Sequence, residues 1–315
     1  MNGLSKGSVN WVEVDESAEG QRIDNFLAKS LKGVPRSHIY RILRSGEVRV
    51  NSGRVSATYR LKPGDRVRIP PVRIAAPTSR RGGKLRQLGE TPLYEDEWLL
   101  AIDKPAGVAV HGGSGISLGA IEKLREERPN QPFLELIHRL DRETSGVLLL
   151  AKRRRALTDV HAQLRHGQVD KRYQVLVLGN WTKPRQSVRL PLRKYVLGGG
   201  ERRVAVDAQG AAAMTVFKLL GHYDGYSLLE AELKTGRTHQ IRVHLSHLGF
   251  PIAGDDKYGN FEINKTLEKR GLKRMFLHAV SVTLKHPATG ERLRIEAPLP
   301  VELDRFLASI DVAGT

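Results

Sequence analysis

The chain contains no cysteine. Disulfides and thiolate metal sites are therefore excluded, and a reducing, cytoplasmic setting is compatible with that absence. No apolar run approaches the ~18–20 residues that span a bilayer. The opening "MNGLSKGSVNWVEVDESAEG" lacks the apolar stretch of a signal peptide. A cytoplasmic protein with no membrane partner is expected.

Several catalytic signatures are also missing. His239, His244 and His247 cluster and Asp255-Asp256 follow, but the spacing is not His-Glu-x-x-His and no carboxylate stands beside the histidines. His244 instead shares one helical face with Ile241, Leu245 and Leu248, so no metal site is expected. "HGGSGISLG" lacks the Lys-Ser/Thr of a phosphate-binding loop and the glycine spacing of a dinucleotide fold. "HRLD" does not match the kinase catalytic loop, and no Asp-Phe-Gly or kinase glycine loop accompanies it. A Gly-x-Ser-x-Gly elbow for serine catalysis is absent as well.

Positive charge is abundant. The 315 residues carry a formal net charge of +18, and 40% are apolar, enough for a real core. Residues 1–90 hold 18 Lys/Arg against 8 Asp/Glu, more than half of the excess. An anionic polymer is the natural partner, and nucleic acid fits better than membrane because no basic amphipathic membrane helix stands out.

Apolar spacing divides the chain into an N-terminal extension (1–19), a small α+β module (20–73), a linker (74–90) and a second domain (91–315). In the module, Ile23, Phe26, Leu27 and Leu31 recur at helical spacing. A second helix follows, with Ser37 as its cap, Ile39, Ile42 and Leu43 facing inward, and Gly46 ending it. "EVRVNSGRV" reads as a hairpin turning at Asn51-Ser52-Gly53, and "GDRVRIP" as a short strand. Arg36, Arg41 and Arg44 lie on or beside the second helix. Arg41 and Arg44 share a face away from its apolar stripe, a row suited to phosphates. A solvated helix face is the alternative, but 13 basic against 3 acidic residues between Arg22 and Arg73 favour RNA. This module resembles the small RNA-binding domain named after ribosomal protein S four.

The second domain shows strand-like runs at "WLLAIDK", "GVLLLAK", "RYQVLVLG", "YSLLEAELK", "MFLHAVSVTLK" and "RLRIEAP". Helical runs are "LGAIEKLREER", "RALTDVHAQLRHG" and "THQIRVHLSHLG". Strand and helix do not alternate strictly, and "HPATG" joins the last two strands as a short turn. The expectation is α+β, with a mixed, largely antiparallel sheet.

"HRLDRETSG" (138–146) sets Asp141 among basic groups at the mouth of the buried run "VLLLAK". A nearby guanidinium favours an ionised carboxylate, which can act as nucleophile or base without a cofactor. A salt bridge fixing a loop remains the other reading on charge alone.

"HRLDRETSG", with "LLAIDKPAGVAVH", "KRYQVLVLG", "LKTGRTHQIRVHLSHLGFPIAGDDKYG" and "LHAVSVTLKHPATGERLRIEAPLP", resembles the RluA-type family of RNA pseudouridine synthases. The similarity runs over nearly all of residues 91–300. It implies the pseudouridine synthase fold and isomerisation of uridine in 23S rRNA with no cofactor. The implied partner is 23S rRNA or a large-subunit assembly intermediate; the oligomeric state stays open, with a monomer as the default expectation. It implies Asp141 as the catalytic group and Tyr173 as the base-stacking tyrosine. Arg242 is implied as the buried, bidentate partner of the catalytic carboxylate, and Arg139 as the residue filling the vacancy of a flipped-out uridine. The Lys104-Pro105 motif reads as a support for the cleft. Two alternatives stay open: a catalytically silent rRNA-binding assembly factor, and a metal-dependent nuclease using Asp255 and Asp256.

Overall fold

A computed structural model of the chain describes residues 8–31, 34, 36–72, 88, 91–112, 118–198 and 201–310. The chain divides into two units, Met1–Gly83 and Lys84–Thr315. Of the stretch expected to be a linker, only Leu88 falls within the described residues. It is buried in the core of the second unit, and its N–H donates to Glu127 Oε1 at 3.2 Å.

The first unit orders strand β1 (Asn10–Glu13), helices α1 (Ile23–Ser30) and α2 (Arg36–Arg44), and strands β2 (Arg49–Val50), β3 (Gly53–Arg54) and β4 (Arg66–Ile69). The strands form one antiparallel sheet in the order β1-β4-β2-β3. Strand β1 falls in the stretch expected to be an extension, yet it supplies an edge of this sheet. Helix α2 starts at Arg36, so Ser37 lies inside it and is not its cap. The apolar stripes of the helices meet the inward residues Val50, Val67 and Ile69 in a single core. In the β2–β3 turn, Asn51 and Ser52 adopt φ of 48° and 68°, the left-handed pair that a two-residue hairpin with right-twisted strands demands. The Asn51 side chain stabilises that turn by accepting from Arg66 N–H and donating to Asp65.

The second unit opens with β5 (Tyr94–Glu95), β6 (Leu99–Lys104), α3 (Ala120–Glu127), β7 (Glu135–Leu136), β8 (Ser145–Ala151), α4 (Arg154–Arg165) and β9 (Asp170–Leu178). It continues with β10 (Arg185–Arg189), β11 (Leu192–Val196), β12 (Arg202–Val206), β13 (Met214–Tyr223) and β14 (Tyr226–Leu233). It closes with α5 (Gln240–His247), α6 (Phe261–Lys269), β15 (Leu277–Lys285), β16 (Arg292–Glu296) and α7 (Val301–Ser309). Ten strands form one sheet along β10-β13-β14-β9-β15-β8-β6-β5, with β16 added to β15 and β7 to β8. Among these pairings only β8–β15 is parallel, so the sheet is mixed and largely antiparallel, as the sequence pattern implies. Strands β11 and β12 form a separate hairpin.

Strand β8 shows how the run "VLLLA" builds this sheet. All seven of its residues are buried. Side chains alternate between faces, so Leu148 and Leu150 enter one core while Val147, Leu149 and Ala151 enter the other. Each fully buried leucine is worth roughly 1.5–3 kcal/mol of transfer free energy. Strand β9 alternates in the same way, and Tyr173, Val175 and Val177 join the face that carries Leu148 and Leu150. Helix α5 packs Ile241 and Leu245 onto that face. The cleft that holds Asp141 and Tyr173 opens there.

Candidate active site

The segment between β7 and β8 carries "HRLDRETSG". Its turn closes with Thr144 N–H donating to the Asp141 carbonyl at 3.2 Å. The "KPAGV" segment holds it from below. Gly107 N–H donates to the Arg142 carbonyl at 2.8 Å, and Arg142 Nε donates back to the Gly107 carbonyl at 3.1 Å. Lys104 is fully buried, and its ammonium donates to the carbonyls of Pro105, Val108 and Arg142 at 2.9, 2.8 and 3.2 Å. All three of its donors therefore have acceptors. Burial and the Arg274 charge pull the Lys104 pKa down to about 7, against Glu143 and Asp141, which favour the charged form.

His138, which the sequence leaves without a task, accepts a hydrogen bond on Nε2 from Leu149 N–H at 3.1 Å and so fixes the loop to β8. Burial, with the Lys171 charge, pushes its pKa down to about 3, consistent with a neutral, accepting ring. Gly146 ends the motif at φ 108°. A Cβ there would lie 2.2 Å from the Ala279 carbonyl oxygen, so only glycine lets β8 approach β15 in the parallel register.

A cleft of about 830 Å³ opens above this loop, and Asp141, Tyr173, Arg242 and Arg139 all line it. Asp141 is partly accessible in the cleft, while Arg139 is exposed at its edge. Tyr173 is buried on β9. Burial and the Asp141 charge raise its pKa, which keeps the phenol protonated. Arg242 projects from α5, and its Nη1 lies 3.4 Å from Asp141 Oδ2.

The bidentate partner of Arg242 is Asp255, which corrects the expectation that the fork grips Asp141. Nε and Nη2 of Arg242 donate to Asp255 Oδ2 and Oδ1 at 2.8 and 2.7 Å. Asp255 Oδ1 also accepts from the backbone N–H groups of Lys257 and Tyr258. Burial pushes the Asp255 carboxyl up, but the guanidinium and these N–H donors hold it below the ordinary value. Four hydrogen bonds tie this carboxylate into a buried ion pair, and Asp256 is exposed. Among the described residues, no cluster of three His, Asp or Glu is placed to hold a metal ion. Tyr258 completes the support, with Arg242 Cζ 5.1 Å above its ring centre.

His239 also faces Asp141, a contact that sequence reasoning missed. It caps α5 in the left-handed region at φ 53°, an uncommon backbone state for a non-glycine residue. The Tyr258 hydroxyl accepts from Val204 N–H at 3.0 Å and shares a hydrogen bond of 2.8 Å with His239 Nδ1. His239 Nε2 lies 3.9 Å from Asp141 Oδ1. Burial lowers the His239 pKa, with Asp141 opposing and Arg242 and Lys257 reinforcing. The signal was present in "GDDKYG", where Asp255 and Tyr258 stand three apart, but their targets are set by tertiary contact.

His161, Arg165, Lys171, Lys194, Arg203 and Arg237 also line the cleft, which is strongly basic. In the first unit, Arg41 and Arg44 are exposed on α2, and Arg41 meets Glu47 at 3.4 Å. Arg36 opens that helix, but its side chain lies outside the described residues.

Comparison with known proteins gives the family of the chain. The family described as RNA pseudouridylate synthase matches residues 98–247, and the S4 domain matches residues 21–67. The chain is 50% identical over 307 residues to ribosomal large subunit pseudouridine synthase C of Pasteurella multocida (strain Pm70). That match covers 96% of this chain and 94% of the relative. The chain belongs to the RNA pseudouridylate synthases. This synthase is likewise 50% identical to ribosomal large subunit pseudouridine synthase C of Escherichia coli (strain K12), covering 96% of this chain and 97% of that one. Its structure is similar to that of human RNA Pseudouridylate Synthase Domain Containing 1, with a TM-score of 0.59 and 26% identity. That similarity covers 74% of this chain and 91% of the human one. Among the described residues, no helix of this synthase is long and apolar enough to cross a membrane.

Proposed function

We propose that this synthase isomerises uridine to pseudouridine in the 23S RNA of the large ribosomal subunit, with Asp141 as the catalytic group. The carrying observation is the placement of the Asp141 carboxylate in a basic cleft, beside the buried Tyr173 and 3.4 Å from a locked guanidinium. The relatives' names, which specify the large subunit, support the choice of RNA.

The reaction breaks the bond between N1 and C1′, turns the base, and joins C5 to C1′. The proton on C5 leaves and N1 gains one, so atoms and electrons balance with no redox partner. The glycosidic bond is inaccessible in a stacked nucleotide, so the uridine must be flipped out. Arg139, at the cleft edge, fills the vacancy it leaves. Tyr173 stacks on the base and, because its phenol stays protonated, offers the base a proton donor. Arg242 orients Asp141 through the 3.4 Å contact, and Asp255 holds Arg242. The first unit adds affinity for RNA phosphates through Arg36, Arg41 and Arg44.

The test uses 23S rRNA tritiated at C5 of uridine, in EDTA. Tritium release with an intact chain is expected from the wild type and none from Asp141→Asn, which should still bind RNA. No release by the wild type would sink the isomerase reading. Turnover by Asp141→Asn would remove Asp141 from the mechanism.

A further inference from the structure

The N-terminal sheet has one face covered by helices and one open. Val50, Val67 and Ile69 point into the helix-covered core. The neighbouring positions point the other way, and register lines four of them up. Trp11 pairs with Arg68, Arg68 with Arg49, and Arg49 with Arg54. One rung thus crosses all four strands and reads Trp-Arg-Arg-Arg, with neighbours roughly 4.8 Å apart.

This rung is not a network of ion pairs. Among the described residues, none of Arg49, Arg54, Arg66 and Arg68 lies within 4 Å of a carboxylate, although Glu13 stands opposite Arg66 on the same face. Arg68 Nη1 donates to the Glu47 carbonyl at 2.8 Å and Arg49 Nε to the Gly46 carbonyl at 3.3 Å. Those bonds steady the guanidinium groups without neutralising them. Trp11 is 49% exposed, an unusual state for the largest apolar side chain. Arg66 lies over one face of its indole, 5.4 Å from the ring centre.

We propose that this open face is a second RNA-binding surface, distinct from the arginine row on α2. An unpaired base stacks on the indole of Trp11, and the adjoining phosphates lie along Arg68, Arg49 and Arg54. An exposed aromatic at the end of a row of unneutralised cations is the composition of a single-strand platform: stacking accepts any base, and the cations track the backbone. Arg66 pre-orients the ring and adds its own charge to the stack. A duplex fits poorly, because its bases present no free face. The proposal rests on the reading that RNA is the substrate.

The experiment follows tryptophan fluorescence of the full chain during titration with an RNA hairpin carrying an unpaired loop, and with a blunt duplex of equal nucleotide count. The loop RNA should quench, and Trp11→Phe should abolish that quench while Trp98 and Trp181 remain. Trp11→Ala should weaken loop binding about fivefold or more, and Trp11→Phe, which keeps an aromatic face, should restore most of it. Replacing both Arg49 and Arg68 by Gln should flatten the salt dependence by about 1.4 in log–log slope, two phosphates' worth on a single strand. Four outcomes overturn the proposal: quenching that persists in Trp11→Phe, an affinity unchanged in Trp11→Ala, an equal loss on the duplex, or quenching by polyglutamate but not by RNA. Binding is read in the Asp141→Asn background, so turnover does not enter. A failure of tritium release by the wild type would sink the isomerase reading and leave this binding result standing.

Discussion

Arg242 is locked by Asp255 through two bonds of 2.8 and 2.7 Å and reaches Asp141 with its remaining nitrogen at 3.4 Å. The guanidinium is thus held from behind by a buried acid and presented to an accessible one. Removing the hold should damage both stability and rate. Breaking a buried pair costs about 3–5 kcal/mol, so Asp255→Leu should lower the unfolding midpoint strongly. Asp255→Asn keeps the shape and loses only the charge and one strong acceptor. It should leave RNA affinity intact and slow single-turnover tritium release about a hundredfold, the scale of a misplaced catalytic group. Single-turnover rates at saturating enzyme separate the two effects; an unchanged rate in Asp255→Asn would assign Asp255 to folding alone.

Tyr173→Phe asks whether the hydroxyl matters beyond the ring. The side chain belongs to the core face of β9 and lines the cleft, and phenylalanine preserves its packing. RNA binding should be unchanged, because stacking needs only the aromatic face. Tritium release should fall by about 10²–10⁴-fold if the phenol transfers a proton. A drop confined to KM would place the hydroxyl in binding instead.

Much of this was legible from sequence because the central strands are buried on both faces. "GVLLLAK" and "RYQVLVLG" are apolar runs whatever the rest of the chain does, and they became β8 and β9. Strand β11 was not legible: four of its five residues are exposed, so "LRKYV" carries no apolar alternation to read. At the site, Asp141, Tyr173 and Arg242 came from motif resemblance, and the structure brings all three to one cleft. The partner of Arg242 did not, since a fork can grip either of two carboxylates and only tertiary distance chooses. His239 was missed for a related reason. Its approach to Asp141 depends on a left-handed backbone that histidine spacing does not reveal.

Gly146 supplies a test of the loop's anchoring. A methyl group there would meet the Ala279 backbone at 2.2 Å and would have to sit at φ 108°. Gly146→Ala should destabilise the protein by on the order of 3 kcal/mol, from backbone strain and disrupted β8–β15 pairing. Urea unfolding followed by far-ultraviolet dichroism would measure it. Gly290→Ala is the control, being another positive-φ glycine with open space around its Cβ position, and it should cost less.

His278 makes stability depend on pH. The ring is fully buried. Its Nε2 lies 3.2 Å from the Ala297 carbonyl, to which it donates, so Nδ1 accepts from the Ser145 hydroxyl at 2.9 Å. Ser145 Oγ in turn accepts from Arg274. Burial, helped by the Arg274 charge and opposed by the Ala297 bond and Glu302, pulls the His278 pKa down to about 4. An unfolded histidine titrates near 6.5. Between roughly pH 6.5 and 4 the unfolded chain therefore binds a proton that the folded chain refuses, and stability falls as pH falls through that window. His278→Gln should flatten this part of the stability–pH curve in urea melts, although the variant is less stable at neutral pH. An unchanged slope would assign the acid sensitivity to other groups, His138 first, whose pKa is pushed lower still.

Arg41 and Arg44 decide whether α2 meets RNA or only water. Both are exposed, and Arg41 has Glu47 at 3.4 Å as a weak neighbour; a surface pair of this kind contributes about 0–1 kcal/mol. The double change to Gln should therefore leave thermal stability within about 0.5 kcal/mol. If both arginines neutralise phosphates, the log–log salt slope of RNA binding should fall by about 1.4 on a single strand or 1.8 on a duplex. The two surfaces of this unit can be separated by combining this pair with Trp11→Ala. The helix face is far from the open sheet face in chemistry, since it has no exposed indole at its end, and should bind loop and duplex alike. Additive losses on loop RNA, with only the helix pair weakening duplex binding, would match two independent sites. A salt slope unchanged in the double variant would make the arginine row an ordinary solvated face.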